Sequence, residues 1–405
     1  MKKIYVCGPT VYSDIHIGNL RPIISIDFVL KAYRYLNIDF NFIHNITDID
    51  DKIIKKAQQE GKSEMEISSF YFSKYLELLN LLNIDTITKI ENVTQNMNIL
   101  IHFIEKLVLN NSAYITKNGV IYDVGSNKEY GKLSNLNMSN TISNAFDENK
   151  KNEQDFYLWK FTTTGVKFNS PWGSGRPGWH TECVAIIDKN FKGQTIDIHS
   201  GGIDLIFPHH ENENAQFYSL YKKPLADIWK YVGTIKHNGI KMSKSLGNVI
   251  LAKDFITKYG SDVLRLLVLN HRFNSEVDIN QDTILNLQKI LIKYRKNYLK
   301  SMLITSNDIN ENAVKEIMKA LYDFDYHRAI FFIELIIKNI NKNVEVDLNL
   351  NTLKKVFEVF KFSFIDEFSL NNILEKYYNW KEELKKKNYK KADLLRENLL
   401  KEGWI

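Results

Sequence analysis

The sequence predicts an α/β fold: a parallel-sheet domain with a small inserted domain, followed by an all-α helical bundle. Three observations lead there. Early in the chain, short apolar runs alternate with helical patterns, the order of βαβ units. Between Ala113 and Phe161 the texture changes to short alternating pieces separated by Asn-Gly and Gly-Ser turns. From Asp254 onward nearly everything has a helical period. The expected division is 1–110 for the first half of the sheet domain, 111–170 for the insert and 171–240 for its second half. A loop region, 241–280, then leads into a helical region, 281–405.

Taken in order, Ile4-Tyr5-Val6 reads as a buried strand and Leu20 to Leu36 as a helix. Between them lies CGPTVYSDIHIGN, Cys7 to Asn19, with Gly8, Pro9 and Asp14 marking the turn. A strand, a turn and a helix N-terminus present free N–H groups to an anion. His16 can donate there to phosphate oxygens, and Gly18, lacking a Cβ, lets a flat ring approach the backbone. Phe40 to His44 reads as a second strand, and Thr47 to Asp51 as a polar loop capping a helix from Lys52. A long helical pattern covers Glu64 to Leu82, and Ser139 to Glu153 reads as a polar loop. Pro171 to His180 is a stiff Gly/Pro loop leading into a helix with Cys183. Gln194 to His199 alternates as a strand that Ser200-Gly201-Gly202 breaks, and a helix then carries His209, His210, Glu211 and Glu213. After a strand near Tyr231 to Ile235, Lys241 to Ser245 sits in a loop. Ile284, Leu287, Leu291, Tyr294 and Tyr298 share one helix face.

Length and composition suit a multidomain globular protein with a large core, 405 residues of which 44% are hydrophobic. The net charge of +6 fits a polyanionic partner without requiring one. Two cysteines suggest no disulfide framework, and no run reads as a signal peptide or a membrane span. The expectation is a soluble cytoplasmic protein.

Those two cysteines, Cys7 and Cys183, both lie in motif-like stretches at strand ends. His209 and Glu213 are four apart and would project from one helix face. Two thiolates, an imidazole and a carboxylate make a tetrahedral zinc set, although the spacing is not that of a zinc finger. Singly, each residue reads as an ordinary core, cap or surface group.

His16-Ile17-Gly18-Asn19 resembles the HIGH signature of class I aminoacyl-tRNA synthetases, and Lys241-Met242-Ser243-Lys244-Ser245 matches their KMSKS loop. The stretches NITDIDDKI, GRPGWHTEC and FPHHENENAQ narrow the resemblance to cysteinyl-tRNA synthetases. It extends to the C-terminal KADLLRENLLKEGW. The resemblance implies a Rossmann-type catalytic domain that activates L-cysteine with ATP and Mg, then passes it to the 3′-terminal adenosine of tRNA(Cys). It implies one zinc per chain on Cys7, Cys183, His209 and Glu213. A soft substrate thiolate binds such an ion far better than a serine hydroxyl does. It implies catalytic roles for His16, Lys241 and Lys244, and ATP contacts from Pro9, Thr10, His16, Gly18, Asn19 and Lys241 through Ser245. Thr47, Trp179, His199 and Asp204 would line the cysteine pocket. A monomer with no membrane partner is expected. Asn19 departs from the second His of the signature, and Ser200 stands where the family more often has Gly.

Two other readings compete. One is a cysteine ligase with an amino-sugar acceptor, against which the helical tail after Asn280 argues. The other is a non-catalytic, zinc-containing RNA-binding module, against which intact His16, Gly18, Lys241 and Lys244 argue.

Overall fold

The computed structural model describes residues 1–135, 147–243 and 246–405. Lys244, Ser245 and part of the expected Ser139–Glu153 loop therefore lie outside the described residues. In chain order the first elements are β1 (Lys2–Val6), α1 (Ile17–Tyr35), β2 (Phe40–Ile46), α2 (Asp51–Glu60), α3 (Glu64–Leu81), β3 (Lys89–Asn92) and α4 (Met97–Leu109). Then come β4 (Ala113–Thr116), β5 (Gly119–Tyr122), β6 (Phe156–Phe161), β7 (Gly175–Pro177), α5 (Trp179–Phe191), β8 (Ile196–Gly202), α6 (Glu211–Tyr221) and β9 (Ala226–Val232). The remainder is β10 (Ile235–His237), β11 (Ile240–Lys241), α7 (Ala252–Tyr259), α8 (Ser261–Leu269), β12 (Val277–Ile279), α9 (Gln281–Ser301), α10 (Glu311–Tyr322), α11 (Tyr326–Asn341), α12 (Val346–Phe360), α13 (Glu367–Lys385) and α14 (Tyr389–Lys401). None of the described helices is long and apolar enough to cross a membrane.

The chain divides into two compact units. The first comprises Met1–Ile15, Asp39–Glu77 and Thr86–Gly233. Its main sheet has five parallel strands in the order β3-β2-β1-β8-β9. Strands buried on both faces read as near-continuous apolar runs, and Ile4, Tyr5 and Val6 are fully buried in β1. The sequential order reverses between β1 and β8. That is the switch point beside which open α/β sheets bind ligands, at the carboxyl ends of the strands. Apolar faces of α4 and α5, including Phe103, Val184 and Ile186, are part of the core with Tyr5 and Ile43. A smaller antiparallel sheet, β4-β5-β6-β7, completes this unit.

Two expectations change here. Ser200-Gly201-Gly202 does not end the strand: β8 stays paired with β9 as far as Gly202 opposite Val232. Pairing of Gly201 and Gly202 with Tyr231 and Val232 of β9 outweighs the low strand preference of glycine. The Pro171–His180 stretch is not all loop either, because Gly175–Pro177 forms β7 and Trp179 already opens α5. Pro177 is tolerated because β7 is an edge strand.

The second unit holds His16–Ile38, Leu78–Asp85 and Thr234–Ile405. Its centre is α1, which packs against α8, α10 and α12 and is buried along most of its length. The expected face of α9 is buried as read: Ile284, Leu287, Leu291, Tyr294 and Tyr298 all point inward. Buried charges join these helices. Lys31 Nζ lies 2.6 Å from Asp27 Oδ2, and both side chains are 1% exposed. Arg265 donates to the carbonyls of Phe360 and Lys361 at the end of α12, while Asp262 accepts from Ser363 N at 2.9 Å. Burial brings the Lys31 ammonium down to about 8 although Asp27 opposes it.

Candidate metal centre and nucleotide motifs

Cys7 leaves β1 at the switch point, its N–H donating to the Ser200 carbonyl of β8 at 3.3 Å. The next residue is tied to β2, Gly8 N donating to Asn45 Oδ1 at 2.8 Å. Cys183 lies one turn inside α5, almost fully buried. His209 and His210 end an irregular turn, Ile206–His210, in which Phe207 leaves helical geometry. They therefore precede α6 rather than ride on it. His209 still meets Glu213 as the four-residue spacing requires.

These four side chains converge. Cys7 Sγ lies 3.7 Å from Cys183 Sγ, 3.6 Å from His209 Nε2 and 3.5 Å from Glu213 Oε1. Cys183 Sγ lies 3.6 Å from His209 Nε2. Ordinary zinc bonds of about 2.3 Å to sulfur and about 2.0–2.2 Å to nitrogen or oxygen give tetrahedral edges of roughly 3.8 Å for S···S and 3.6 Å for S···N or S···O. Four of the edges thus fit the ion. The fifth, His209 Nε2 to Glu213 Oε1, is 2.6 Å, a hydrogen-bond length that opens to about 3.4 Å on a tetrahedron.

The electrostatics agree with a cation site. Burial, reinforced by the neighbouring Cys183, pushes the Cys7 thiol well up. Burial pushes Cys183 up too, but its contacts with Cys7 and His209 outweigh it and bring it to about 6. Two thiolates this close repel each other, and a bound cation would stabilise both. Burial opposes charge on Glu213 as well, yet His199 and His209 hold its carboxyl well below the usual range.

An outer ring fixes this set. Glu213 Oε2 takes His199 Nε2 at 2.6 Å, so the two carboxylate oxygens serve different histidines. His180 Nδ1 sits 3.1 Å from His209 Nδ1, and Trp179 stacks on the His209 ring at 4.4 Å between centroids. Such partners orient a ligand imidazole. Trp229 stacks on His199 and Tyr231 on His210. His210 Nε2 also approaches Cys7 Sγ, at 3.4 Å, so Cys7, His199, His210 and Glu213 form a second overlapping donor group. Gly201 makes room for His210, since a Cβ there would meet its Cε1 at 2.8 Å.

Of the expected cysteine-pocket residues, Trp179 and His199 touch the donor set directly. Thr47 is one step away. Its hydroxyl donates to Glu182 Oε2 at 2.9 Å, and the Asn45 amide that reaches it also presents Oδ1 3.7 Å from Cys183 Sγ. Asp204 is exposed in the turn Ile203–Leu205, with a carboxylate oxygen 2.3 Å from where a Gly202 Cβ would be. Pro9 and Thr10 follow β1, where Thr10 bridges to Thr47. His180, Asn45 and Trp229 carried no expectation. The adjacent His-His pair was the visible signal for His210.

In the second unit, His16 precedes α1 as its N-cap and pairs with Leu251. Asn19 Oδ1 accepts from His16 N at 3.3 Å, so the residue departing from the signature closes the first turn. Gly18 has the close approach its absent Cβ suggests. The ring is His16's own imidazole, which a Cβ would meet at 2.9 Å, with Met242 Cε next at 3.5 Å. Lys241 ends β11 and Ser243 follows it out of the strand. Asn248 clamps this stretch, accepting from Ser243 N at 2.9 Å and donating to the Lys241 carbonyl at 3.1 Å.

Residues 1–289 match the family model described as tRNA synthetases class I (C) catalytic domain. A cysteine–tRNA ligase of Mycoplasma mycoides subsp. mycoides is 42% identical, across 99% of this chain and 95% of that protein. One from Mesomycoplasma hyopneumoniae is 39% identical, across 98% and 96%. The solved methionyl-tRNA synthetase of Mycobacterium tuberculosis, in complex with methionyl-adenylate, shares the fold at a TM-score of 0.66 and 15% identity, covering 89% of this chain and 90% of that one. The chain belongs to the class I tRNA synthetases, in the cysteine–tRNA ligase family.

Proposed function

We propose that this protein is a cysteine–tRNA ligase that joins L-cysteine to ATP as cysteinyl-adenylate and transfers it to the 3′-terminal adenosine of tRNA(Cys). The observation that carries this is the near-tetrahedral set of Cys7, Cys183, His209 and Glu213 at the sheet's switch point. Zinc bound there supplies a soft Lewis acid that prefers the substrate's sulfur to a hydroxyl. Trp179 and His199, packed on the ligands, shape the surrounding pocket, with Thr47 behind them and Asp204 at its exposed turn.

Adenylation needs no side-chain nucleophile, because the cysteine carboxylate attacks the α-phosphate of ATP. The protein's work is positioning and charge stabilisation on the phosphates. We assign this to His16 at the start of α1 and to Lys241 and Lys244, with Pro9, Thr10, Gly18, Asn19, Met242, Ser243 and Ser245 as ATP contacts. Residues 281–405 are assigned to tRNA. Cysteine-dependent exchange of pyrophosphate into ATP, followed by charging of tRNA(Cys), tests the proposal. Exchange with serine but not cysteine would refute it.

A further inference from the structure

Cys7 and Cys183 are the chain's only cysteines, and their sulfurs lie in contact at 3.7 Å. We propose that this pair is an oxidation site: a peroxide converts it to a disulfide, which expels the metal and stops cysteine activation. The inference rests on the zinc assignment made under Proposed function.

Geometry favours an internal disulfide over a bridge to another molecule. The sulfurs must close to about 2.05 Å, and each already has the other as a neighbour. The two thiols are not equivalent. Cys7 is half-buried in the loop leaving β1, whereas Cys183 is buried in α5. Where the assigned metal holds both sulfurs as thiolates, the more accessible one meets the oxidant and the buried one resolves it.

The chemistry balances with hydrogen peroxide as the oxidant. Cys7 sulfur attacks one peroxide oxygen, the O–O bond breaks, and a sulfenic acid and hydroxide result. Cys183 thiolate then attacks the Cys7 sulfur, the S–O bond breaks, and a second hydroxide leaves. Two protons convert both hydroxides to water. The thiolates have lost two electrons and the peroxide has gained them. A disulfide sulfur is a poor ligand, since metal binding requires thiolate.

The remaining ligands are suited to this loss. His209 Nε2 and Glu213 Oε1 sit at 2.6 Å, short of a tetrahedral edge but ideal for a direct hydrogen bond. Glu213 keeps His199 on its other oxygen at 2.6 Å. When the cation leaves, the buried carboxylate retains two imidazole partners, and the pocket is spared an isolated buried charge. The proposed substrate is itself a thiol, so an oxidant that consumes free cysteine also switches off its activation.

The test treats the reduced, zinc-loaded full chain with hydrogen peroxide. Zinc release is followed with a chromogenic chelator, and intact mass and peptide mapping follow the cysteines. The expected result is release of one zinc per chain together with the loss of two hydrogens, mapped to a Cys7–Cys183 link and reversed by dithiothreitol. Cys7→Ser should form no internal link. Stable oxygen addition at either cysteine without the link, or zinc retained while added free cysteine is consumed, overturns the switch. A reduced chain that binds no zinc refutes the metal assignment instead, and the mapped link still decides the oxidation site because its mass is read without metal.

Discussion

In the second unit, Lys31 is 1% exposed and meets Asp27 and the Asn83 carbonyl, each at 2.6 Å. Arg265, equally buried, is met by two backbone carbonyls and lies beside Asp262. Each cation there faces groups that answer its charge. The cluster around Cys7 in the first unit is built differently. Two thiols, an imidazole and a carboxylate converge with more electron pairs than protons to share. The Nδ1 atoms of His199 and His210 are buried without a hydrogen-bond partner among the described residues. A buried polar group normally finds a partner within the fold. Burial alone therefore does not mark a ligand site. A surplus of convergent donors does.

The contrast breaks most sharply at Cys183. Cys183→Ala should bring bound zinc close to zero and lower cysteine-dependent exchange by at least about 10²-fold, beyond the 10–100-fold of a lost outer-shell partner. Elemental analysis beside the exchange assay checks it, and a fully metallated, fully active variant would sink the metal assignment. Arg265→Met should do the reverse. The loss leaves the Phe360 carbonyl unanswered and Asp262 without its nearby cation, though Ser363 still donates to it, and should cost about 3 kcal/mol in urea unfolding, with zinc per folded chain unchanged.

His44 sharpens the comparison within the first unit, because it is a buried histidine whose nitrogens are both engaged. Nδ1 faces the Val6 carbonyl at 2.9 Å and Nε2 the Tyr75 hydroxyl at 2.8 Å. Burial brings its imidazole down to about 4, although the Val6 carbonyl opposes the shift. The unfolded chain takes up this proton near 6.5 and the folded chain only near 4. Stability from neutral His44 is therefore complete above pH 6.5 and drains as pH falls through about 4, by roughly 3 kcal/mol in all. His44→Gln should flatten that part of the stability profile, and an unchanged acid limb would contradict the assignment.

Smaller effects are expected where function rests on exposed groups. Asn248→Ala removes both clamps on the lysine stretch and should slow exchange about tenfold, leaving zinc content alone. In the α13–α14 hairpin, Lys386 and Lys391 are tied to Glu382 and Glu383. Alanine at the exposed Lys385, Lys387 and Lys390 should weaken tRNA charging about threefold at moderate salt and reduce its salt dependence. Exchange without tRNA should not change. Charging that is indifferent to these three would make them a solubilising face.

Local pattern made β1, α1, β2 and the buried face of α9 legible, because period and capping residues act over a few positions. Of the candidate metal set, Cys7 and Cys183 were legible through scarcity, as the chain's two cysteines, and the structure brings their sulfurs to 3.7 Å. The ends of β8 were not, since pairing with β9 rather than local preference carries Ser200 to Gly202. Nor was β3, whose Lys-Ile-Glu-Asn is too short and polar to announce an edge strand. Asn45 and His180 escaped notice because their roles exist only after β2 and α5 are brought to Cys7. Long-range placement of this kind leaves no periodic trace.

Gly201 and His210 have a consequence for how such a sequence can drift. An alanine Cβ at 201 would meet Cε1 of the imidazole at 210 at 2.8 Å. A side chain at 201 is therefore accommodated only where the ring at 210 moves, and that ring is the one whose Nε2 stands 3.4 Å from Cys7 Sγ.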